Sequence, residues 1–80
     1  MSERQSMLGD RVELRQKRQR QAVTCTALKD TLRALLGPAV EPDELDADAI
    51  LDAAVSLHSE LADLAVLDKK LSILNRELGN

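Results

Sequence analysis

The sequence predicts an all-α protein: an antiparallel hairpin of two long helices that pairs with a second copy to form a four-helix bundle. Strong helix formers dominate, no Phe, Tyr or Trp occurs among the 80 residues, and no alternating strand pattern is present. A single break at residues 37–42 (Gly-Pro-Ala-Val-Glu-Pro) separates two apolar stripes of helical period. A chain of this length forms one small domain, and a lone seam between two helices is marginally stable without oligomerisation.

The first helix is predicted over residues 10–36. Asp10, with a glutamate three residues later, resembles a capping box, and this start leaves residues 1–9 frayed. Ser2, with a glutamine three residues later, offers an earlier start that must carry Gly9 inside the helix. We prefer the later start, because an internal glycine disfavours a helix.

A short loop, residues 37–45, is predicted to lead into the second helix, residues 46–78. Gly37 suits the left-handed residue just past a helix end, and Pro38 cannot continue a helix. Helices of this length joined by so short a loop form a hairpin about 40 to 50 Å long. Carboxylates suit the positive end of the helix dipole and mark the start of the second helix: Asp43, Glu44, Asp46 and Asp48.

The second helix carries a continuous apolar stripe. Its first part follows coiled-coil spacing through Ala47, Ile50, Ala54, Leu57, Leu61 and Leu64. Continuing that register would place Asp68 and Asn75 in the core. We prefer a stammer, a local shift of the heptad count that turns both polar residues outward. The seam then continues through Leu67, Leu71, Leu74 and Leu78, while Val66 and Ile73 lie off it and widen the apolar surface.

The first helix is not expected to cover this whole stripe. Its own stripe runs from Ala22 to Leu35 and fades toward the N-terminus, where Arg11 and Arg18 fall in the same phase. Arginine stems can cover leucines, but the surface left over favours a dimer at about 25 cal/mol per Å² buried. The predicted oligomer interface consists of Ala54, Leu57, Leu61, Leu64, Leu67, Leu71, Leu74 and Leu78.

Charge is unevenly distributed along the chain. Residues 1–36 contain eight Lys and Arg against four acids, and residues 37–80 contain three against ten. Three interpretations remain open: solvated faces, a basic end that meets the acidic residues 41–52 of a partner copy, or phosphate binding to nucleic acid. The residues that would make either contact are Arg4, Arg11, Arg15, Lys17, Arg18 and Arg20.

No catalytic, metal or cofactor site is predicted. His58, the only histidine, is expected at the margin of the core, and Cys25, the only cysteine, is expected as a packed, reduced thiol. The acids of residues 43–52 lack the glycine and spacing of a calcium loop. No segment has the length and apolarity of a signal peptide or membrane span, so we expect a cytoplasmic protein without membrane contact.

One stretch resembles Rop, the repressor of primer family of plasmid copy-number control. The matching residues are Glu44-Leu45-Asp46-Ala47-Asp48, then Asp52, then Ser56-Leu57-His58. The resemblance implies a hairpin that dimerises into an antiparallel four-helix bundle. Rop binds paired RNA loops through a face that includes phenylalanine, which this chain lacks, so no functional residue of that face is carried over.

We therefore predict a non-enzymatic, self-associating interaction or regulatory module whose partner is itself or another helical protein. One alternative is a small Rop-like RNA-binding regulator that uses the basic first helix. Another is a small adaptor or co-chaperone for another helical protein. No small-molecule substrate is expected.

Overall fold

The computed structural model describes residues 3–79, which form two long helices and a short connecting turn. Helix α1 spans Glu3–Leu35, a 3₁₀ turn spans Pro42–Glu44, and helix α2 spans Ala47–Glu77. The described residues contain no strand. The helices pack against each other in a rod of 61 × 17 × 17 Å. This confirms the predicted all-α hairpin, but the rod is longer than the predicted length of about 40 to 50 Å because α1 begins earlier.

Helix α1 begins two turns earlier than predicted. The helix starts at Glu3 and carries Gly9 in its interior, so the expectation that residues 1–9 are frayed is wrong for residues 3–9. Ser2, the cap of the alternative start, lies outside the described residues. Contact with α2 explains the early start: Met7 is partly buried, and Nη1 of Arg4 donates to the carbonyl of Leu78 at 3.4 Å.

The end of α1 depends on Pro38 and not on a left-handed glycine. Gly37 does not have a positive φ; its N–H donates to the carbonyl of Ala34 at 3.4 Å and tightens the last turn. Since a proline lacks the N–H that a further turn needs, the helix stops there. The left-handed glycine of the described chain is instead Gly79, with φ of 80°, just past the end of α2.

The predicted start of α2 is confirmed. Asp46 is the N-cap, and its side-chain oxygen accepts a hydrogen bond from the backbone N–H of Ala49 at 3.1 Å. This bond satisfies one of the four N–H groups that a helix start leaves without a partner. At the other end, the N–H of Leu78 donates to the carbonyl of Leu74 at 2.9 Å.

The predicted stammer in α2 is wrong. The side that faces α1 follows an unbroken heptad spacing from residue 50 to residue 78, and Ala53 is buried where Ala54 was expected. Glu60 is partly buried, whereas the side chain of Leu61, the expected seam residue, is 47% exposed. The residues on the observed seam are Ile50, Ala53, Leu57, Glu60, Leu64, Leu67, Leu71, Leu74 and Leu78.

Helix α1 presents a seam of the same period. Cys25 is buried on it, as predicted for a packed thiol, and the seam runs without interruption to both ends of the helix. Equal heptad periods let two helices stay in contact over their full length, because neither seam drifts away from the other. The residues are Arg4, Met7, Arg11, Leu14, Arg18, Gln21, Cys25, Leu28, Leu32 and Leu35.

Two glycine substitutions test the helix bounds. A Cβ added at Gly9 would have no atom within 4 Å, so Gly9→Ala should stabilise α1 by about 0.5–1 kcal/mol. Gly79→Ala should destabilise the protein by about 1–2 kcal/mol, because its φ of 80° is unfavourable for an alanine. Urea unfolding followed by circular dichroism measures both. No gain from Gly9→Ala would show that residues 3–9 are frayed.

Candidate association surface

In the terminal half of the seam, α1 contributes an arginine at every second position. Arg4, Arg11 and Arg18 recur every seven residues on α1 and face α2. Beyond the contact of Arg4, Nη1 of Arg11 donates to Oδ1 of Asn75 at 3.3 Å, and Nε of Arg18 donates to Oδ1 of Asp68 at 2.6 Å. The polar residues that were predicted to turn outward are thus partners of this arginine row.

At mid-length the seam contains an amide and a carboxylate, both partly buried. Nε2 of Gln21 donates to both the backbone carbonyl of Glu60, at 3.2 Å, and its side-chain Oε2. A carboxylate on a helix–helix seam loses hydration, and a hydrogen-bond donor on the facing helix offsets that loss. Because of Gln21, the heptad register continues through Glu60.

The leucines at the end of α2 are covered within one chain. Leu71 is 8% exposed and Leu78 is 4% exposed in the single hairpin, so the expectation that a second copy must cover them is wrong. The extra turns of α1 and the stems of its arginines supply the cover. In the rest of the predicted interface, Ala54 and Leu61 are exposed. The partly buried residues are Leu57, Leu64, Leu67 and Leu74.

The six predicted basic contact residues do not form one row on the surface. Arg4, Arg11 and Arg18 donate to α2, as described above. The other three, Arg15, Lys17 and Arg20, are exposed. At about 100° per residue, Lys17 and Arg20 lie on one side of α1, where they line the same groove, and Arg15 points to another side. Of the six residues that could bind phosphate, three therefore lie on the seam, two beside one groove and one on another side of the rod.

The largest exposed apolar side chains of α2 lie away from the α1 contact. Leu51 is 61% exposed and Val55 is 59% exposed, and both lie in the half of the rod near the loop. His58 was expected at the core margin but is exposed among them, because the observed seam is rotated toward Ala53. We define the α2 outer face as Leu51, Ala54, Val55, His58, Leu61, Ala62 and Ala65.

A second, smaller apolar area lies on the opposite edge of α2. Val66 is 52% exposed and Ile73 is 45% exposed, which confirms that both lie off the seam. Charged groups interrupt this edge: a groove of about 410 Å³ beside Val66 is also lined by Lys17, Arg20 and Asp63. The α2 outer face is the larger continuous apolar surface.

The hairpin concentrates opposite charges at its two ends. The loop half, residues 22–60, contains two Lys and Arg against eight acids, whereas residues 3–21 and 61–79 together contain nine against six. The antiparallel fold therefore converts the charge asymmetry of the sequence into a rod with a negative loop end and a positive terminal end. Such a rod favours partners that are aligned in the opposite direction.

Comparison of the chain with models of protein families, with curated proteins and with solved structures finds no match. Within residues 3–79, neither helix has an apolar segment of the length that crossing a bilayer requires. The same residues contain no group of three or more His, Cys, Asp or Glu side chains arranged to hold a metal ion.

The Gln21–Glu60 pair is testable by a double-mutant cycle. Gln21→Leu should destabilise the hairpin by about 1–3 kcal/mol, because it leaves a partly buried carboxylate without its donor. Gln21→Leu combined with Glu60→Leu should recover that loss or exceed it, since an apolar pair extends the leucine seam. Chemical unfolding of both single variants and the double variant gives the coupling energy. Additive effects would show that the two side chains do not interact.

Proposed function

We propose that this protein is a non-enzymatic, self-associating helical hairpin that acts as an interaction or regulatory module in the cytoplasm. Its biological unit is a homodimer of four helices. The reduced, buried thiol of Cys25 suits a reducing compartment.

The observation that carries the proposal is the large accessible surface of the single chain. The hairpin exposes 5981 Å², whereas a compact monomeric protein of its size exposes about 4,800 Å². An interface of standard size hides about 800 Å² on each partner. Association of two copies would therefore hide about 800 Å² of an excess of roughly 1,200 Å² per chain.

The thin core supports the same proposal. Four side chains are buried in the described structure, and ten large apolar side chains are exposed. The radius of gyration is 17.9 Å, against about 12 Å for a compact domain of this length. An elongated hairpin with so little buried apolar area is marginal by itself, and a second layer of helices is the usual solution.

A second copy is favoured over an unrelated helical protein because the rod is complementary to itself. Its acidic loop half and its basic terminal half attract each other when two copies lie in opposite directions. The exposed apolar side chains, among them Leu51 and Leu61, supply the affinity, while the charges set the orientation.

The nucleic-acid alternative receives less support. Three of its six basic residues are engaged with α2 through Leu78, Asn75 and Asp68. Aromatic platforms for stacking are absent from the sequence. Submicromolar, salt-sensitive binding of a structured RNA would nevertheless favour that alternative.

Sedimentation equilibrium tests the proposal. We expect a dimer at micromolar concentration, and we expect Leu61→Asp to raise its dissociation constant by tenfold or more, which is about 1.4 kcal/mol. The matched control is Ile73→Asp, a charge on the opposite edge of α2, which should change the constant much less. A well-folded monomer of the wild-type protein at micromolar concentration would contradict the proposal.

A further inference from the structure

We propose that two copies pair α2 against α2 in antiparallel orientation through the α2 outer face, with the twofold axis at His58. This inference rests on the proposed self-association and specifies its face, its direction and its register. It keeps Ala54 and Leu61 of the interface expected from the sequence and leaves out its other members, which are partly or fully buried inside the hairpin.

The α2 outer face is symmetric about His58 in its spacing. Apolar residues lie three, four and seven positions before His58, and apolar residues lie at the same distances after it. A twofold axis through His58 places each residue of the first group opposite its counterpart in the second group. The resulting pairs are Leu51 with the partner's Ala65, Ala54 with the partner's Ala62, and Val55 with the partner's Leu61.

The outermost pair combines side chains of complementary size, while the two inner pairs join small with small and large with large. Leu51 meets the smaller Ala65 of the partner, and the alanine pair between Ala54 and the partner's Ala62 lets the backbones approach closely. Facing large with small side chains is how apolar layers interdigitate at native density. A parallel pairing would instead put Leu51 against the partner's Leu51 and Ala65 against the partner's Ala65.

The charges at the two ends of the α2 outer face also favour the antiparallel orientation. Asp48 and Lys69 are exposed and lie in the helical column of Val55 and Ala62, at intervals of seven residues. The axis at His58 places the partner's Asp68 level with Asp48 and the partner's Lys69 one residue further along. Asp68 is turned toward Arg18 of its own chain, whereas Lys69 lies in the same column as Asp48, so Lys69 is the charge that Asp48 meets, once on each side of the interface. A parallel pairing would instead set Asp48 against the partner's Asp48, and two like charges that face each other repel.

The imidazole fixes the register. His58 is the one side chain of the α2 outer face with polar atoms, and the axis brings it next to the partner's His58. Two imidazoles satisfy each other in part when the N–H of one ring donates to the bare nitrogen of the other. A shift by one helical turn would bury each ring against apolar side chains without a partner, which is unfavourable. A single polar residue in a helix interface sets register in the same way.

Disulfide trapping tests the axis. In a Cys25→Ala background, His58→Cys should form an intermolecular disulfide readily under mild oxidation, because the two thiols meet on the axis. The matched control is Ser59→Cys, which lies about 100° further around the helix and should stay reduced. A mixture of Asp48→Cys and Lys69→Cys proteins should give mainly the mixed dimer.

Substitutions at His58 give a second, independent readout by sedimentation. His58→Leu should tighten the dimer by about tenfold, because it replaces two polar rings with apolar groups. His58→Arg should weaken it by more than tenfold, because it places two permanent charges together. The matched pair Ser59→Leu and Ser59→Arg should leave the constant within about threefold.

Different results would contradict the α2–α2 pairing and the self-association on which it rests. A wild-type dimer in which position 58 does not cross-link, or cross-links no better than position 59, overturns the pairing and leaves self-association standing. A dimer with equal constants for His58→Leu and His58→Arg does the same. A wild-type monomer at micromolar concentration overturns self-association, and the pairing with it.

Discussion

The structure depends on one contact surface, the seam between α1 and α2. Within residues 3–79, no sheet or further α-helix packs against these two. The tertiary packing that stabilises the single chain is therefore concentrated at this seam. The seam is uniform in period but not in chemistry. Its loop half is packed with small and aliphatic side chains around Cys25 and Ala53, and its terminal half alternates leucine with arginine. This alternation determines which residues are left for association.

The arginine row explains why the terminal half remains closed. Arginine stems cover Leu71 and Leu78 while the head groups donate to Asn75, Asp68 and a terminal carbonyl. The Arg18–Asp68 pair is 42% and 49% exposed, so its own contribution is about 0.2–1 kcal/mol. The row therefore adds little stability, but it specifies which helix face of α1 meets α2. The buried apolar groups of both halves, Cys25 and Ala53 in one and Leu71 and Leu78 in the other, then hold the fold together.

The sequence predicts the hairpin itself well because the signals are local. Gly-Pro at the end of α1 and the Asp46 cap of α2 act on their own turns, and both predicted boundaries agree with the structure to within a residue or two. The start of α1 could not be predicted from local preference. A contact 74 residues away in sequence, from Arg4 to Leu78, holds those turns, and a glycine in their middle suggests the opposite.

The seam was misassigned for a related reason. Leu61 is a better apolar residue than Glu60, so a pattern search selects it, whereas the structure selects Glu60 because Gln21 on the other helix provides a donor. A hydrogen bond between side chains on two helices cannot be read from the residue periodicity of one helix. The same error hid the α2 outer face: once Ala54 and Leu61 are assigned to the internal seam, His58 is placed at its margin instead of among exposed apolar groups.

The central claim is that folding and self-association are coupled, because one seam is too small to stabilise the rod. The most direct measurement is the thermal midpoint of unfolding, followed by circular dichroism, over a hundredfold range of protein concentration. A dimer that folds as it assembles must unfold at a higher temperature when the protein is more concentrated. We expect the midpoint to rise steadily across that range. A midpoint that is independent of concentration, with a cooperative transition, would show that the hairpin folds alone and would contradict this account.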